Sequence, residues 1–318
     1  MKAMVIESFG GADQLKFADI SVPQPKDTEV LIAIQYAAVN PVDWKIREGM
    51  FKSNMPHEFP LILGWDASGI IESVGKNVRN FKEGDKVFAY CRKPTVKEGT
   101  YAEYITCDAS HVAKMPSNIN FAQAAAIPLA ALTAWQALFD FAKIQKGQSA
   151  LIHAGAGGVG GFAIQFAKYM NNTVFTTCSE ANHAYVKTLG ANHIIDYTKK
   201  NFVNEVERTI GQLDIVFDTV GGKTLRESVI LVKPKGSLVS IVEQIGPDIT
   251  KDADIHAGFV FVRPDGKQLE EIAKLIEQGK VLPPEIQEMN LKQAAEAQEK
   301  SKLGHTRGKI VLKVAQSE

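Results

Sequence analysis

The feature that most restricts the fold lies near the middle of the chain. An apolar run at 150–154 passes into Gly155-Ala156-Gly157-Gly158-Val159-Gly160, and then into a segment that sets Val159, Ala163, Phe166, Ala167 and Met170 on one face at helical spacing. A buried strand turning through glycines into an apolar-faced helix is the context in which G-x-G-x-x-G signals a phosphate cradle rather than an ordinary turn. The first glycine permits the tight turn, the second lets backbone N–H groups approach a pyrophosphate, and the third lets the helix pack close to the sheet. The anion then faces the positive end of the helix dipole. Gly155, Ala156, Gly157, Gly158, Val159 and Gly160 are therefore candidate dinucleotide contacts.

Around this motif the rhythm is strand, helix, strand, helix. Further strands are predicted at 173–178, 193–197, 213–218 and 236–242, with amphipathic stretches between them, one of which, 181–189, stops at Gly190. Such alternation predicts an α/β region with a doubly wound, mostly parallel sheet covered on both faces. Upstream, β-type runs at 29–39, 69–74, 86–90 and 101–107 are punctuated by Pro23, Pro25, Gly75, Gly84 and Gly99, which suits a small barrel or sandwich. Downstream come a strand candidate at 258–262, a helix at 268–277 ended by Gly279, a helix from 291 to about 301 and a last strand at 309–314. Those last elements are too few for a core of their own, so they are expected to rejoin the N-terminal domain. The expected division is 1–121 and 258–318 for a β-rich domain, with 122–257 inserted between them.

At 318 residues two domains are expected. Lys plus Arg and Asp plus Glu both count 36 with no run of like charge, so a nucleic-acid or membrane partner is not expected and a small molecule is. Cys91, Cys107 and Cys178 are far apart and offer neither a disulfide framework nor a Cys-x-x-Cys knuckle, which points to a reducing compartment. The start of the chain alternates like a strand and lacks signal-peptide character, and no apolar stretch is long enough to span a bilayer. A cytoplasmic location is expected.

Counting on from Gly160, the residue that would read the adenosine ribose falls at Ser179. An Asp or Glu there would favour NAD by accepting from the 2′-hydroxyl and repelling a 2′-phosphate; Ser179 lacks that charge, which permits NADP. Glu180 follows immediately, and a slip of one position would restore an acid. Asn182, His183, Tyr185 and Lys187 are the nearby groups that could support a phosphate. NADPH is the expected cofactor.

Asn40-Pro41-Val42-Asp43-Trp44-Lys45, 69–75, Gly84-Asp85-Lys86-Val87, 99–104, 125–135, 153–160, 214–222 and 304–312 together resemble the medium-chain dehydrogenase/reductase superfamily. The resemblance is closest to its quinone oxidoreductase branch, with zeta-crystallin-like enzymes and plant enone reductases, and it covers essentially the whole chain. It implies a GroES-like catalytic domain made from both chain ends, a Rossmann domain between them, and commonly a homodimer.

Zinc alcohol dehydrogenases of this superfamily hold the catalytic metal with a Cys in the first of these segments, a Gly-His-Glu further on, and a later Cys or Glu. Here Asn40 replaces the Cys, the triplet reads Gly64-Trp65-Asp66, and of the four-Cys structural lobe only Cys91 remains, so no metal site is expected. Without that Lewis acid, alcohol oxidation is disfavoured. Reduction of a quinone or an activated C=C remains feasible, because the developing oxyanion needs only a hydrogen-bond donor or cation nearby.

The resemblance implies Lys45 as that donor, directed toward the nicotinamide and the substrate carbonyl; the alternative is a solvated side chain. Asn40 and Asp43 would order the site, although Asp43 could equally be a turn or capping residue. Thr133 matches a family position beside the nicotinamide, or is a helix-interior Thr bonding its own backbone. Tyr197, the 218–221 loop with Thr219 and Val220, and Ser240-Ile241-Val242 match further cofactor contacts. Val260-Phe261-Val262 and 304–309 resemble stretches that close over the cofactor, while Arg307 and Lys309 could as well be surface charges and the apolar run a core strand. His57, His111, His153, His193, His256 and His305 show no ligand spacing, and no nucleophile motif is visible. A different class of function, an NADPH-binding nucleotide-responsive or structural protein with little turnover, remains open, as does the disfavoured zinc-type alcohol dehydrogenase.

Overall fold

The computed structural model describes residues 1–251 and 253–315. In chain order its strands are β1 (Lys2–Ile6), β2 (Lys16–Asp19), β3 (Glu29–Ala38), β4 (Leu61–Ile62), β5 (Asp66–Val74), β6 (Lys86–Tyr90), β7 (Tyr104–Asp108), β8 (Val112–Lys114), β9 (Ser149–Ile152), β10 (Thr173–Cys178), β11 (His193–Asp196), β12 (Leu213–Asp218), β13 (Val232–Ser240), β14 (His256–Phe259), β15 (Ile286–Asn290) and β16 (Lys309–Lys313). They divide between two compact units. One comprises Met1–Leu129, Pro264–Gly279 and the chain from Pro283 onward; the other is Ala130–Arg263 with Lys280–Leu282. Among the described residues no helix is long and apolar enough to cross a membrane.

The inserted unit is built on one six-stranded sheet in the order β11-β10-β9-β12-β13-β14, parallel throughout. Every residue of the central β9 is buried, as a parallel strand covered on both faces must be. This is the Rossmann sheet the alternation predicts. The strand expected at 258–262 within the C-terminal domain is displaced: β14 pairs with β13 from Ser237↔His256 to Ser240↔Phe259 and so completes the nucleotide sheet. The division therefore falls after Arg263 rather than after residue 257, and its first boundary after Leu129 rather than after 121. Gly258 permits this placement, since a Cβ there would lie 2.8 Å from the ring of Phe141.

The β-rich unit is organised on β3. A long sheet runs β15-β16-β3-β5-β6-β8, with β7 also paired to β3, and a second sheet runs β2-β1-β4. The C-terminal return is direct: β16 lies antiparallel to β3 (Val311↔Ala38) and parallel to β15. This is the GroES-like fold. Where β3 ends, a helix not anticipated from the sequence begins, Pro41–Arg47. At seven residues it is too short to show a periodic stripe, but it carries start signals, Pro41 at its first turn and Asp43 accepting from the Asn40 backbone N–H at 2.8 Å. Of the readings offered for Asp43, the capping one is thus realised.

Candidate active site

The candidate residues fall into two groups, one in each unit. In the Rossmann unit the helix Gly158–Tyr169 starts at Gly157, and the N–H groups of Gly158, Val159 and Gly160 in its first turn have no intrahelical acceptor. The turn before it is pinned from β10. Thr177 Oγ1 accepts the N–H of Ala154 at 3.1 Å and the Thr177 carbonyl accepts that of Gly155 at 3.1 Å. Ala154 itself holds the left-handed region at φ 49°, a strained conformation for a side-chain-bearing residue that such tethers can maintain. Gly160 is fixed by sterics, because a Cβ there would fall on the Ala154 carbonyl oxygen. Ala156 is buried beneath the turn. The row of free N–H groups at Gly158, Val159 and Gly160, with glycines at 157, 158 and 160 that carry no Cβ, fits a dinucleotide pyrophosphate.

The loops at the carboxyl ends of β12 and β13 are stapled together. Asp218 accepts from the N–H groups of Val220 (3.1 Å) and Gly221 (2.9 Å) and from Ser240 Oγ (2.7 Å), and Ser240 Oγ in turn receives the N–H groups of Val242 (3.3 Å) and Glu243 (3.2 Å). Thr219 Oγ1 donates to the His153 carbonyl at 2.8 Å. Ser240 and Thr219 thus spend their hydroxyls on shaping the loops. What the loops present is apolar: Val220 and Val242 are exposed, with Ile241 half-buried. His153 is buried, its Nε2 2.9 Å from Ser228 Oγ, and burial pushes its pKa down to about 4, so it is a neutral core residue at pH 7.

At the end of β10, Asn182 Nδ2 donates to Ser179 Oγ at 3.2 Å. The Glu180 carboxylate pairs with Lys199, which also lies 3.9 Å from Asp196. Lys199 follows β11, near the exposed Tyr197, and was not singled out in the sequence because a Lys-Lys pair in a polar loop carries no cofactor pattern. Tyr185, one of the residues considered for phosphate support, is instead buried. Thr133 is buried in the helix Pro128–Trp135. Val260, Phe261 and Val262 follow β14: the Val260 N–H continues the pairing to Ser240 O at 2.9 Å, Phe261 is exposed and Val262 is buried.

In the GroES-like unit the Asn-Pro-Val-Asp-Trp-Lys segment lies over a buried polar cluster. Asn40, Asp43, Asp66, Tyr101 and Lys309 are all at most 5% exposed. Asn40 Nδ2 donates to Asp66 Oδ2 at 2.9 Å, the Leu129 N–H donates to Asp66 Oδ1 at 2.8 Å, and Tyr101 Oη donates to Asp43 Oδ2 at 2.8 Å. Lys309 Nζ donates to the Val39 carbonyl at 2.9 Å and to Asn40 Oδ1. Reading Lys309 as a surface charge is therefore wrong: two acidic side chains far away in sequence make a buried place for it. Arg307 does lie at the surface, paired with Glu285 at 2.8 Å. Burial pushes Asp43 up to about 7 and Asp66 up to about 6, and lowers Lys309.

Lys45 stands on the helix Pro41–Arg47, half-buried, with its ammonium 5.6 Å from the Trp44 ring centroid; Lys302 Nζ lies 5.5 Å from the same ring. The Lys45 ammonium forms no hydrogen bond or ion pair among the described residues, and burial lowers its pKa. Zinc does not fit this cluster. Asn40 Oδ1 already receives an ammonium, both oxygens of Asp66 are engaged by N–H donors, and the neighbouring Trp65 is packed against Tyr90 with centroids 5.9 Å apart. Among the described residues no group of three His, Cys, Asp or Glu side chains is placed to hold a metal.

Residues 26–117 match the family model of the alcohol dehydrogenase GroES-like domain, and residues 189–312 match that of the zinc-binding dehydrogenases. The chain is 38% identical over 291 residues to the NADPH-dependent alkenal/one oxidoreductase, chloroplastic, of Arabidopsis thaliana, covering 89% of this chain and 71% of that one. It superposes on the quinone oxidoreductase of Coxiella burnetii with a TM-score of 0.89 at 35% identity, over 99% of both chains. On the Escherichia coli quinone oxidoreductase complexed with NADPH the TM-score is 0.88 at 25% identity, over 98% of this chain and 99% of that one. A GroES-like unit with an inserted Rossmann sheet, matched along its whole length in this way, is a member of the medium-chain dehydrogenase/reductase superfamily, a family of oxidoreductases. Within it, the chain belongs to the quinone oxidoreductase-like branch.

Proposed function

We propose that this protein is a zinc-independent, NADPH-dependent oxidoreductase that reduces quinones or α,β-unsaturated carbonyls. The observation that carries the reading is the polar cluster around Asn40, where an ammonium occupies the donor atom a metal would need. When bound, reduced nicotinamide supplies a hydride to an electron-poor carbon. The chain's own part is to bind, orient and donate. The first-turn N–H groups of Gly158, Val159 and Gly160, with Gly155, Ala156 and Gly157 in the turn, hold the pyrophosphate. Ser179, Asn182, Tyr197 and Lys199 surround the 2′-phosphate, with Glu180 neutralised by its pairing. Thr133, the stapled loops that carry Thr219, Val220, Ser240, Ile241 and Val242, and the stretch Val260, Phe261 and Val262 complete the cofactor contacts.

Lys45 donates to the substrate oxygen on which negative charge develops, and its lowered pKa makes it the readier proton donor. Asn40 and Asp43 hold its helix. Replacing Lys45 by Met lowers kcat/KM by at least about tenfold, checked by steady-state kinetics; an unchanged value removes Lys45 from the mechanism. A homodimer, which the family resemblance supports, and a cytoplasmic setting, which three buried free cysteines suit, belong to the same proposal.

The test is NADPH oxidation followed against juglone-like quinones, short 2-alkenals and cyclic enones, with and without a chelator. Turnover persists in chelator and favours NADPH over NADH. Activity that a chelator abolishes and zinc restores would overturn the metal-free reading, and a kcat/KM about tenfold higher with NADH would overturn the cofactor.

A further inference from the structure

Lys309 enters the cluster from the first residue of β16, whose backbone is locked beside β3: Val311 pairs with Ala38, and the Val39 N–H donates to Ile310 O at 2.9 Å. From that anchored position its ammonium reaches the two residues that join β3 to the Lys45 helix, donating to the carbonyl of Val39 and the side chain of Asn40. Asn40 then passes the contact outward in two directions, through its side-chain N–H to Asp66 and through its backbone N–H to Asp43. Asp66 and Asp43 are both 0% exposed, and among the described residues the ammonium that faces this pair of carboxyls from β16 is that of Lys309. A fully buried ammonium costs several kcal/mol to desolvate and persists where acidic partners compensate it. For packing alone, an apolar residue at the start of β16 would serve as well.

We propose that the Lys309 ammonium is this site's internal cation, and that by holding Asn40 and balancing Asp66 and Asp43 it fixes the start of the helix Pro41–Arg47 and hence the place of Lys45. Lys309 is a positioning residue for the reduction, an assignment that rests on the function proposed above. It does no chemistry itself. Its work is to keep the Asn40 side chain and the Val39 carbonyl at one orientation, so that the helix leaves β3 at one angle.

Two variants separate positioning from mere stability. Lys309→Met leaves Asp66 without its cation and lowers Tm by about 5 °C or more. Asp66→Asn/Lys309→Met removes both charges, and a turned Asn40 amide can accept from the new Asn, so most of the Tm returns. In this double variant kcat is expected to stay at least about tenfold below that of the parent while the NADPH Kd, set in the other unit, stays within about twofold. The companion readout is the NMR resonance of reductively methylated Lys45, assigned with Lys45→Arg, which is expected to shift in both Lys309 variants. A double variant with kcat within about twofold of the parent would overturn the proposal. So would a Lys45 resonance left at its parental position. Because the resonance is read without turnover, a parent protein that reduces no quinone or enone would sink the proposed function alone.

Discussion

Gly160→Val weakens NADPH binding by at least about a hundredfold, roughly 3 kcal/mol. The added Cβ would fall on the carbonyl oxygen of Ala154 and 2.8 Å from the Cα of Gly155, and these are backbone atoms that cannot rotate away. The turn cannot yield either, since Ala154 is already held at positive φ by the Thr177 tether. The remaining outcome is that the helix Gly158–Tyr169 moves off the turn and takes its first three N–H groups with it. Each charge-assisted bond to a phosphate is worth about 1.5–3 kcal/mol, so misdirecting two of them accounts for the loss. Calorimetric titration with NADPH measures it. Gly211→Ala, in the same unit and at a positive φ with open space around it, controls for general destabilisation. Equal affinity in the Gly160 variant would remove the glycine turn from cofactor binding.

The second large effect is on stability against pH. Folding raises the pKa of Asp43 from the ordinary carboxylate range to about 7, chiefly through burial, against the lowering pull of its hydrogen bonds from Asn40 and Tyr101. A carboxyl with a raised folded pKa contributes stability that is fully present below its unfolded pKa and is lost as pH climbs through the folded value. The parent should therefore lose stability relative to Asp43→Asn as pH rises from about 4 to about 7, by up to roughly 4 kcal/mol. Asp66, raised in the same direction and repelling Asp43, is present in both proteins, so the difference reads Asp43 together with its coupling to Asp66. Urea unfolding of the two proteins across that pH window checks it. A constant difference would mean that Asp43 ionises freely in the folded protein.

Much of the architecture was legible because parallel strands buried on both faces read as continuous apolar runs, and β9, β10 and β12 lie where those runs fall. The glycine turn was legible for a different reason, since backbone geometry there dictates residue type. Features that depend on distant partners were not. Burial of Lys309 requires Asp66 and Asp43, which no local window contains, and the pairing of Glu180 with Lys199 joins the ends of two neighbouring strands. The helix Pro41–Arg47 is too short for periodicity and announces itself only through Pro41 and Asp43. β14 was shifted because the short helix Pro247–Thr250 before it gives no amphipathic signal, so nothing local marks it as one more turn of the same alternation.

The position of β16 has a consequence for how the molecule is made. Its partner β3 is translated well ahead of it, and Lys309 meets Val39 across 270 residues. At the pace of a ribosome the edge of β3 waits on the order of tens of seconds for its neighbour, while the Rossmann unit, nearly contiguous in sequence, can close ahead of it. Through that interval an unpaired strand edge and two acidic groups without their counter-ion are open to water and to passing chains, the kind of surface that holdase chaperones cover. Premature termination before Lys309 would leave a nucleotide unit able to fold tethered to a half that cannot.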